Sequence, residues 1–310
     1  MQTEQALRRS DMGSILSAIE NNPKEIKRLL GIDQDQLRQL ITQAELLHNK
    51  KQEELERNKV RVNKKGGGKK PKLSPKEQIL LTLVYLRHAP TFQLLGLQFG
   101  VSETTANDIF HYWLPILSEA LPPSLLEQVK KFEGDYAGLQ EILREVQLLV
   151  DTSEQARERP RDYQDQKAFY SGKKKNHTRK NQLIVLPGGK DIVDILSGVP
   201  GPKSDINLLR ERWKQFALEQ KFGGDKAYQG EPQVMTPQKK PKGGQLTDEQ
   251  KQHNREFSQQ RIFVEHVIRL LKIFQVACER FRLTDRNYTP VILAICGLVR
   301  LRIKALILPS

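Results

Sequence analysis

Three acids stand where chemistry could be done. Asp151 closes the apolar run "QLLVD", Asp225 follows Phe222-Gly223-Gly224, and Glu265 lies in "RIFVEHVIRLLK" (261–272) beside Arg261, Arg269 and Lys272. In open α/β sheets ligands gather at the carboxyl ends of strands, and both aspartates are expected at such ends. Glu265 is presented from a helix. Phe263, Val267, Leu270, Leu271 and Phe274 form an apolar stripe at helical spacing, while Glu265, Arg269 and Lys272 recur on another face. Three carboxylates can share a site only if something positive neutralises them. All-oxygen ligands suit Mg2+ or Mn2+. Two such ions, roughly 3.5 to 4 Å apart, can activate a water and stabilise the leaving oxygen of a phosphodiester. The ordinary alternative is an exposed helix carrying i,i+4 ion pairs, worth roughly 0.2–0.5 kcal/mol each.

Composition bears on the choice. Lys and Arg number 51 against 37 Asp and Glu, a net charge of +14, which favours a polyanionic partner, most commonly nucleic acid. With 310 residues the chain can hold two or three domains. The apolar stretch "VILAICGLV" (291–299) is interrupted by Arg300 and is too short to span a membrane, so a buried terminal helix is expected. Cys278 and Cys296 lack metal-ligand spacing and read as reduced core residues of a cytosolic protein.

The elements that must position the acids follow from caps and breakers. Residues 1–56 are helical, and Leu37, Leu40, Ile41, Ala44 and Leu47 form a narrow apolar face suited to a hairpin or a dimer contact. Residues 57–76 hold nine Lys or Arg, including Lys64, Lys65, Lys69 and Lys70, and no acid; this basic flexible linker can lie along phosphates. From 77 to 130, helices capped by Ser74, Thr91 and Ser102 make a helix-turn-helix. Its second helix offers Glu103, Thr104, Thr105 and Asn107 to base edges. Many three-helix units share that pattern without touching DNA.

The remainder, 131–310, reads as an α/β domain with a mixed sheet flanked by helices. A first strand ends on Asp151, and a hairpin turns at Ser171-Gly172 with its return strand at Gln182 to Leu186. A third strand follows, then a helix capped by Ser204, a weaker strand before Asp225, and closing helices over 258–281 and 287–305. The basic flank Lys173, Lys174, Lys175, Arg179 and Lys180 could hold the phosphate backbone. His177 either touches DNA or a metal-bound water, or is an ordinary surface histidine. Tyr228 either stacks on a flipped or terminal base or packs under its loop. Asp205 reads as a first-turn acid, and Asp191 and Asp194 as strand-edge residues.

"VDTSEQARERP", "YSGKKKNHTRKNQ", "GVPGPKSD", "GDKAYQG" and "RIFVEHVIRLLK", in that order, resemble the successive blocks of a DDE transposase of the insertion-sequence-five type, close to the Harbinger-like DDE superfamily endonucleases. The spacing, 225 − 151 = 74 and 265 − 225 = 40 residues, fits that pattern. The resemblance implies an RNase H-like catalytic domain with Asp151, Asp225 and Glu265 as catalytic acids holding two divalent ions per site. Arg261 and Lys272 would orient carboxylates or hold scissile-strand phosphates. It further implies cut-and-paste movement of a short element with inverted terminal repeats, DNA ends and target DNA as partners, a homodimer or higher assembly, and a bacterial cytoplasmic, nucleoid-associated location. Two readings compete with it: a non-catalytic helix-turn-helix protein with an inactive nuclease fold, and an RNA-directed nuclease.

Overall fold

The structure, a computed structural model, describes residues 22–58 and 70–308. Lys64, Lys65 and Lys69 and most of the basic linker lie outside the described residues. The chain divides into two compact units: one runs through Leu121 and takes in Phe274–Val276 and the chain end from Leu306, and the other comprises Pro122–Ile273 and Ala277–Ala305.

The first unit is helical. Helix α1 (Ile26–Leu30) stops at Gly31, whose φ of 85° suits glycine, and Asp33 opens α2 (Gln34–Arg57) with a capping box. Ser74 with Glu77 opens α3 (Pro75–His88) in the same way, Thr91 caps α4 (Phe92–Phe99) and Ser102 caps α5 (Glu103–Ala120). Ile79 to Leu86 of α3 are all buried, so α3 is the hub of this unit. Leu37, Leu40 and Ala44 of α2 are buried, and α2 packs on α3 and α5. These residues of the apolar face pack inside their own unit, while Ile41 and Leu47 are half-buried. Between α4 and α5, a Cβ on Gly96 would meet the Val101 carbonyl oxygen at 2.7 Å, and Gly100 has φ 67°. The tight turn needs glycine at both places.

The second unit runs α6 (Leu125–Lys131), α7 (Tyr136–Arg144), β1 (Leu148–Ala156), α8 (Tyr163–Phe169), β2 (Tyr170–Ser171), β3 (Asn176–Val185), β4 (Ile192–Pro200), α9 (Asp205–Trp213), β5 (Phe222–Gly223), β6 (Val234–Met235), α10 (Asp248–Lys272) and α11 (Tyr288–Arg302). Strand β1 pairs antiparallel with β3 and parallel with β5; β4 lies antiparallel on β3, β6 parallel on β5, and β2 pairs with the start of β3. The order β4-β3-β1-β5-β6, with an antiparallel meander continued by parallel strands, is the RNase H-like arrangement. On one sheet face Leu148, Val150, Ile184, Val193 and Phe222 build the core with Leu209 and Phe216. On the other, α10 packs on β1 and β3, and Phe257 reaches Gly223 beside Leu149.

Several elements differ from the sequence expectation. Strand β1 runs on to Ala156, so Asp151 sits inside it; Thr152 to Ala156 keep pairing with β3 after β5 has dropped away. Strand β3 begins at Asn176 instead of Gln182. Helix α10 begins at Asp248, because Thr247 and Gln250 form a capping box. Asp191 stands just before β4, the edge strand, and Asp194 within it, but both are buried and paired. The fully buried Arg300 donates to Asp191 from Nε and Nη2 (2.6 and 2.8 Å), and Arg212 grips Asp194 with Nε (2.6 Å) and Nη2. Cys278 is exposed, while Cys296 is buried and its thiol is pushed up to about 12 by burial. The stretch 291–299 lies within α11, and among the described residues no helix is long and apolar enough to cross a membrane.

Candidate active site

Parallel pairing sets the first two acids side by side. Leu148 pairs with Phe222 and Leu149 with Gly223; Asp225 follows two residues after that ladder ends, close enough for its charge to act on Asp151. Both glycines before Asp225 are needed for close approach. A Cβ on Gly223 would meet the Phe257 ring and Leu149 at 3.2 Å, and one on Gly224 would meet the Tyr228 ring at 2.7 Å. The pair that weakens β5 as a strand thus lets α10 and Tyr228 close on it.

Each aspartate is fixed through one oxygen. Oδ1 of Asp151 accepts from the Thr152 N–H at 2.8 Å, and Oδ1 of Asp225 accepts from the Ala227 N–H at 2.8 Å, closing a short turn. Helix α10 supplies Glu265 and Arg261, whose guanidinium lies 3.7 Å from the Glu265 carboxylate. Arg261 is largely buried and its Nε has no partner. Val264, Val267, Ile268 and Leu271 are buried around the helix while Glu265 stays half-exposed.

The electrostatics join these residues. Burial pushes the Asp151 carboxyl up to about 6, the charges of Asp225 and Glu265 add to that rise, and the Thr152 N–H and Arg261 oppose it. The fold thus holds a half-buried acid whose ionised form is disfavoured first by desolvation and then by its acidic neighbours. Among the described residues no three His, Cys, Asp or Glu side chains are grouped so that they could hold a metal ion. Carboxylate oxygens are the donors that hard divalent cations take, and Asp151 feels the charges of Arg261, Asp225 and Glu265. Lys272 lies exposed at the end of α10 and does not figure among those charges.

The remaining expected contacts divide. Glu103, Thr104 and Thr105 are exposed and Asn107 half-exposed at the start of α5, as a reading helix requires, and Lys70 is exposed. Lys173, Lys174 and Lys175 are exposed in the β2–β3 turn, with His177 half-buried beyond them. Arg179 and Lys180 are committed elsewhere. Arg179 pairs with Asp285 at 3.2 Å and donates to the Gly198 carbonyl at 2.8 Å; Lys180 donates to Asp205 at 2.9 Å and to the Lys203 carbonyl at 2.7 Å. The early start of β3 draws both into the ladder. Tyr228 is fully buried, its hydroxyl 2.8 Å from the Thr152 hydroxyl and accepting from Gln182 Nε2 at 3.1 Å. It packs under the Asp225 loop and presents no face to a base. The Thr152 and Gln182 contacts to this ring were invisible to sequence reasoning, since they come from strands far away in the chain.

Comparison with known proteins adds family and relatives. Residues 150–300 match a family described as DDE superfamily endonuclease, and residues 71–123 match the helix-turn-helix of DDE superfamily endonuclease. A probable transposase for insertion sequence element IS702 from Microchaete diplosiphon is 34% identical over 233 residues, covering 73% of this chain and 79% of the relative. Among solved structures, a piggyBac transposase synaptic complex with hairpin DNA aligns with 93% of this chain and 77% of its own at 11% identity and a TM-score of 0.40. A Mos1 transposase paired-end complex aligns with 81% of this chain and 82% of its own at 10% identity and a TM-score of 0.22.

Proposed function

Since this chain belongs to the DDE superfamily endonucleases, we propose that it is a transposase that cleaves and joins DNA at the terminal inverted repeats of a short mobile element. Asp151, Asp225 and Glu265 are its metal-holding acids. The observation that carries this reading is Asp151: a half-buried carboxyl pushed up to about 6 by desolvation, with two further acids contributing. A structural role would call for a matching cation, such as Asp191 and Asp194 receive.

Asp151, Asp225 and Glu265 would hold a pair of Mg2+ or Mn2+ ions, whose positive charge would activate the attacking water and stabilise the leaving oxygen. The chain's own part is to hold carboxylates. The Thr152 and Ala227 N–H groups fix one oxygen of each aspartate, and Arg261 restrains Glu265 from one turn earlier. Attack by water frees a 3′ hydroxyl, and attack by that hydroxyl joins the strand to target DNA. Glu103, Thr104, Thr105 and Asn107 read the repeat, while Lys70, Lys173, Lys174, Lys175 and His177, with Lys64, Lys65 and Lys69 of the linker, contact phosphates. Lys272 acts on the scissile strand from the helix end. Joining two element ends calls for two active sites, hence at least a dimer.

The test uses the full chain with magnesium and labelled duplexes bearing the element's ends. Site-specific nicks with 3′ hydroxyl products are expected. Glu265→Gln keeps the side chain's size, so DNA binding should persist while cleavage falls about a thousandfold or more. Near-normal cleavage by that variant refutes the metal-holding role. Binding without cleavage by the wild type points to a non-catalytic regulator, and cleavage of RNA alone to a different nuclease. Replacing Thr104 and Asn107 by Ala should erase preference for the repeat by about 1–3 kcal/mol per lost base contact, with non-specific affinity nearly kept.

A further inference from the structure

A second cleft lies in the same unit, between α8 and the β2–β3 hairpin. It has a volume of about 430 Å³ and is lined by Arg159, Tyr163, Gln166, Lys167, Tyr170 and His177, within the roughly 300–1,000 Å³ of small-ligand sites. None of these residues contributes to the acid site. Tyr163 is 72% exposed and Tyr170 46% exposed. Two large rings left open to water beside cations cost apolar exposure that the fold does nothing to relieve. The Tyr170 and His177 rings meet edge to face, with centroids 5.5 Å apart.

The cleft is preformed. Arg159 donates to Gln166 Oε1 at 2.8 Å, and Gln166 Nε2 donates to the Pro160 carbonyl at 2.9 Å, tying α8 to the loop before it. Behind it, Arg157 and Arg179 lie over the same Phe169 ring, 4.3 and 4.8 Å from its centroid, and share the carboxylate of Asp285. Two largely buried guanidiniums on one acid leave net positive charge, and Arg157 Nε and Nη1 have no partner. Positive potential, open aromatic rings and a rigid frame are the parts of a single-stranded nucleic-acid site: bases stack on rings, and cations follow the backbone.

We infer that this cleft takes an unpaired nucleotide of the DNA strand, its base against Tyr163 and Tyr170 and its phosphate near Arg159 and Lys167. The inference rests on the DNA-processing reading above and adds to it a place for strand that has left the duplex.

The test compares the full-length wild type with the Tyr163→Ala/Tyr170→Ala double variant. The probes are a fluorescent blunt duplex and the same duplex with a short oligo-dT overhang, read by anisotropy. The wild type should prefer the overhang, and the double variant should lose that preference, about tenfold for each ring removed, with blunt-duplex affinity kept. Tyr163→Trp, which keeps a ring, should retain the preference. Replacing Lys167 by Gln should lower the salt dependence of overhang binding by about one counterion. Equal overhang affinity in wild type and double variant overturns the inference, as does a parallel loss on the blunt duplex, or a preference for an RNA overhang over DNA. A wild type that cleaves element ends without any overhang preference sinks the cleft alone. A wild type that binds neither probe sinks the DNA reading with it.

Discussion

Two sets of acids in the second unit, one buried and one half-buried, are treated in opposite ways. Along β4, Asp191 receives Arg300 and Asp194 receives Arg212, each through two nitrogens. Along β1 and β5, Asp151 receives a backbone N–H and two acidic neighbours, while the nearby guanidinium of Arg261 is turned toward Glu265. The same fold supplies matched cations in one region and leaves charge unbalanced in the other. Desolvating a carboxylate without a matched partner is costly, and the proposed metal-holding role gives that imbalance a use.

The sharpest way to break this contrast is Asp151→Asn. Cleavage of element ends should fall by three orders of magnitude or so, while the variant folds at least as well as the wild type near neutral pH without divalent metal. A variant that cleaves normally, or that is strongly destabilised, would place Asp151 with the structural acids. Next in size is Arg300→Met. Arg300 also donates to the Pro122 carbonyl at 2.9 Å and to Gln128 at 2.8 Å, and removing it strands Asp191. A loss of about 3–5 kcal/mol is expected in urea denaturation. A loss below about 1 kcal/mol would erase the distinction between the two regions.

The smallest effect is in pH. The Asp151 carboxyl goes from an ordinary 3.8 to about 6 in the folded chain. The folded state therefore holds that proton more tightly than the unfolded one. The stability contributed by neutral Asp151 is fully present below about pH 3.8 and is lost as pH rises through about 6. Without divalent metal, the wild type measured against Asp151→Asn should lose stability over that window. Magnesium should restore it at the upper end and do little at the lower, because it competes with the proton. A stability difference that stays flat with pH would show Asp151 to be as well matched as Asp194.

Much of this was legible in the sequence where the signals are local. Ser74, Thr91 and Ser102 announce their helices through contacts three residues away. Asp225 does stand just past a strand, as the residues before it suggest, whereas Asp151, expected at a strand end, lies inside β1. What stayed hidden depends on distant partners. Arg300 and Asp191 are 109 residues apart, and the Tyr228 hydroxyl meets Thr152 across 76. Nothing near Arg179 or Lys180 shows that β3 begins early enough to absorb them, whereas the ladder with Gln155 and Glu154 makes it plain. Runs of lysine and arginine read alike whether their charge meets solvent or a buried carboxylate.

The brevity of β5 carries a kinetic consequence. Two residues of ladder on either side hold the strand that leads into Asp225, against eight paired positions between β1 and β3. Amide hydrogens of Val150 to Thr152 should exchange with heavy water only on global opening, while those of Phe222 to Ala227 exchange through a cheaper local excursion. Asp151 then rides on a slow-exchanging scaffold and Asp225 on a fast one. The chain can dismantle its site by letting go of a single short strand, without unfolding.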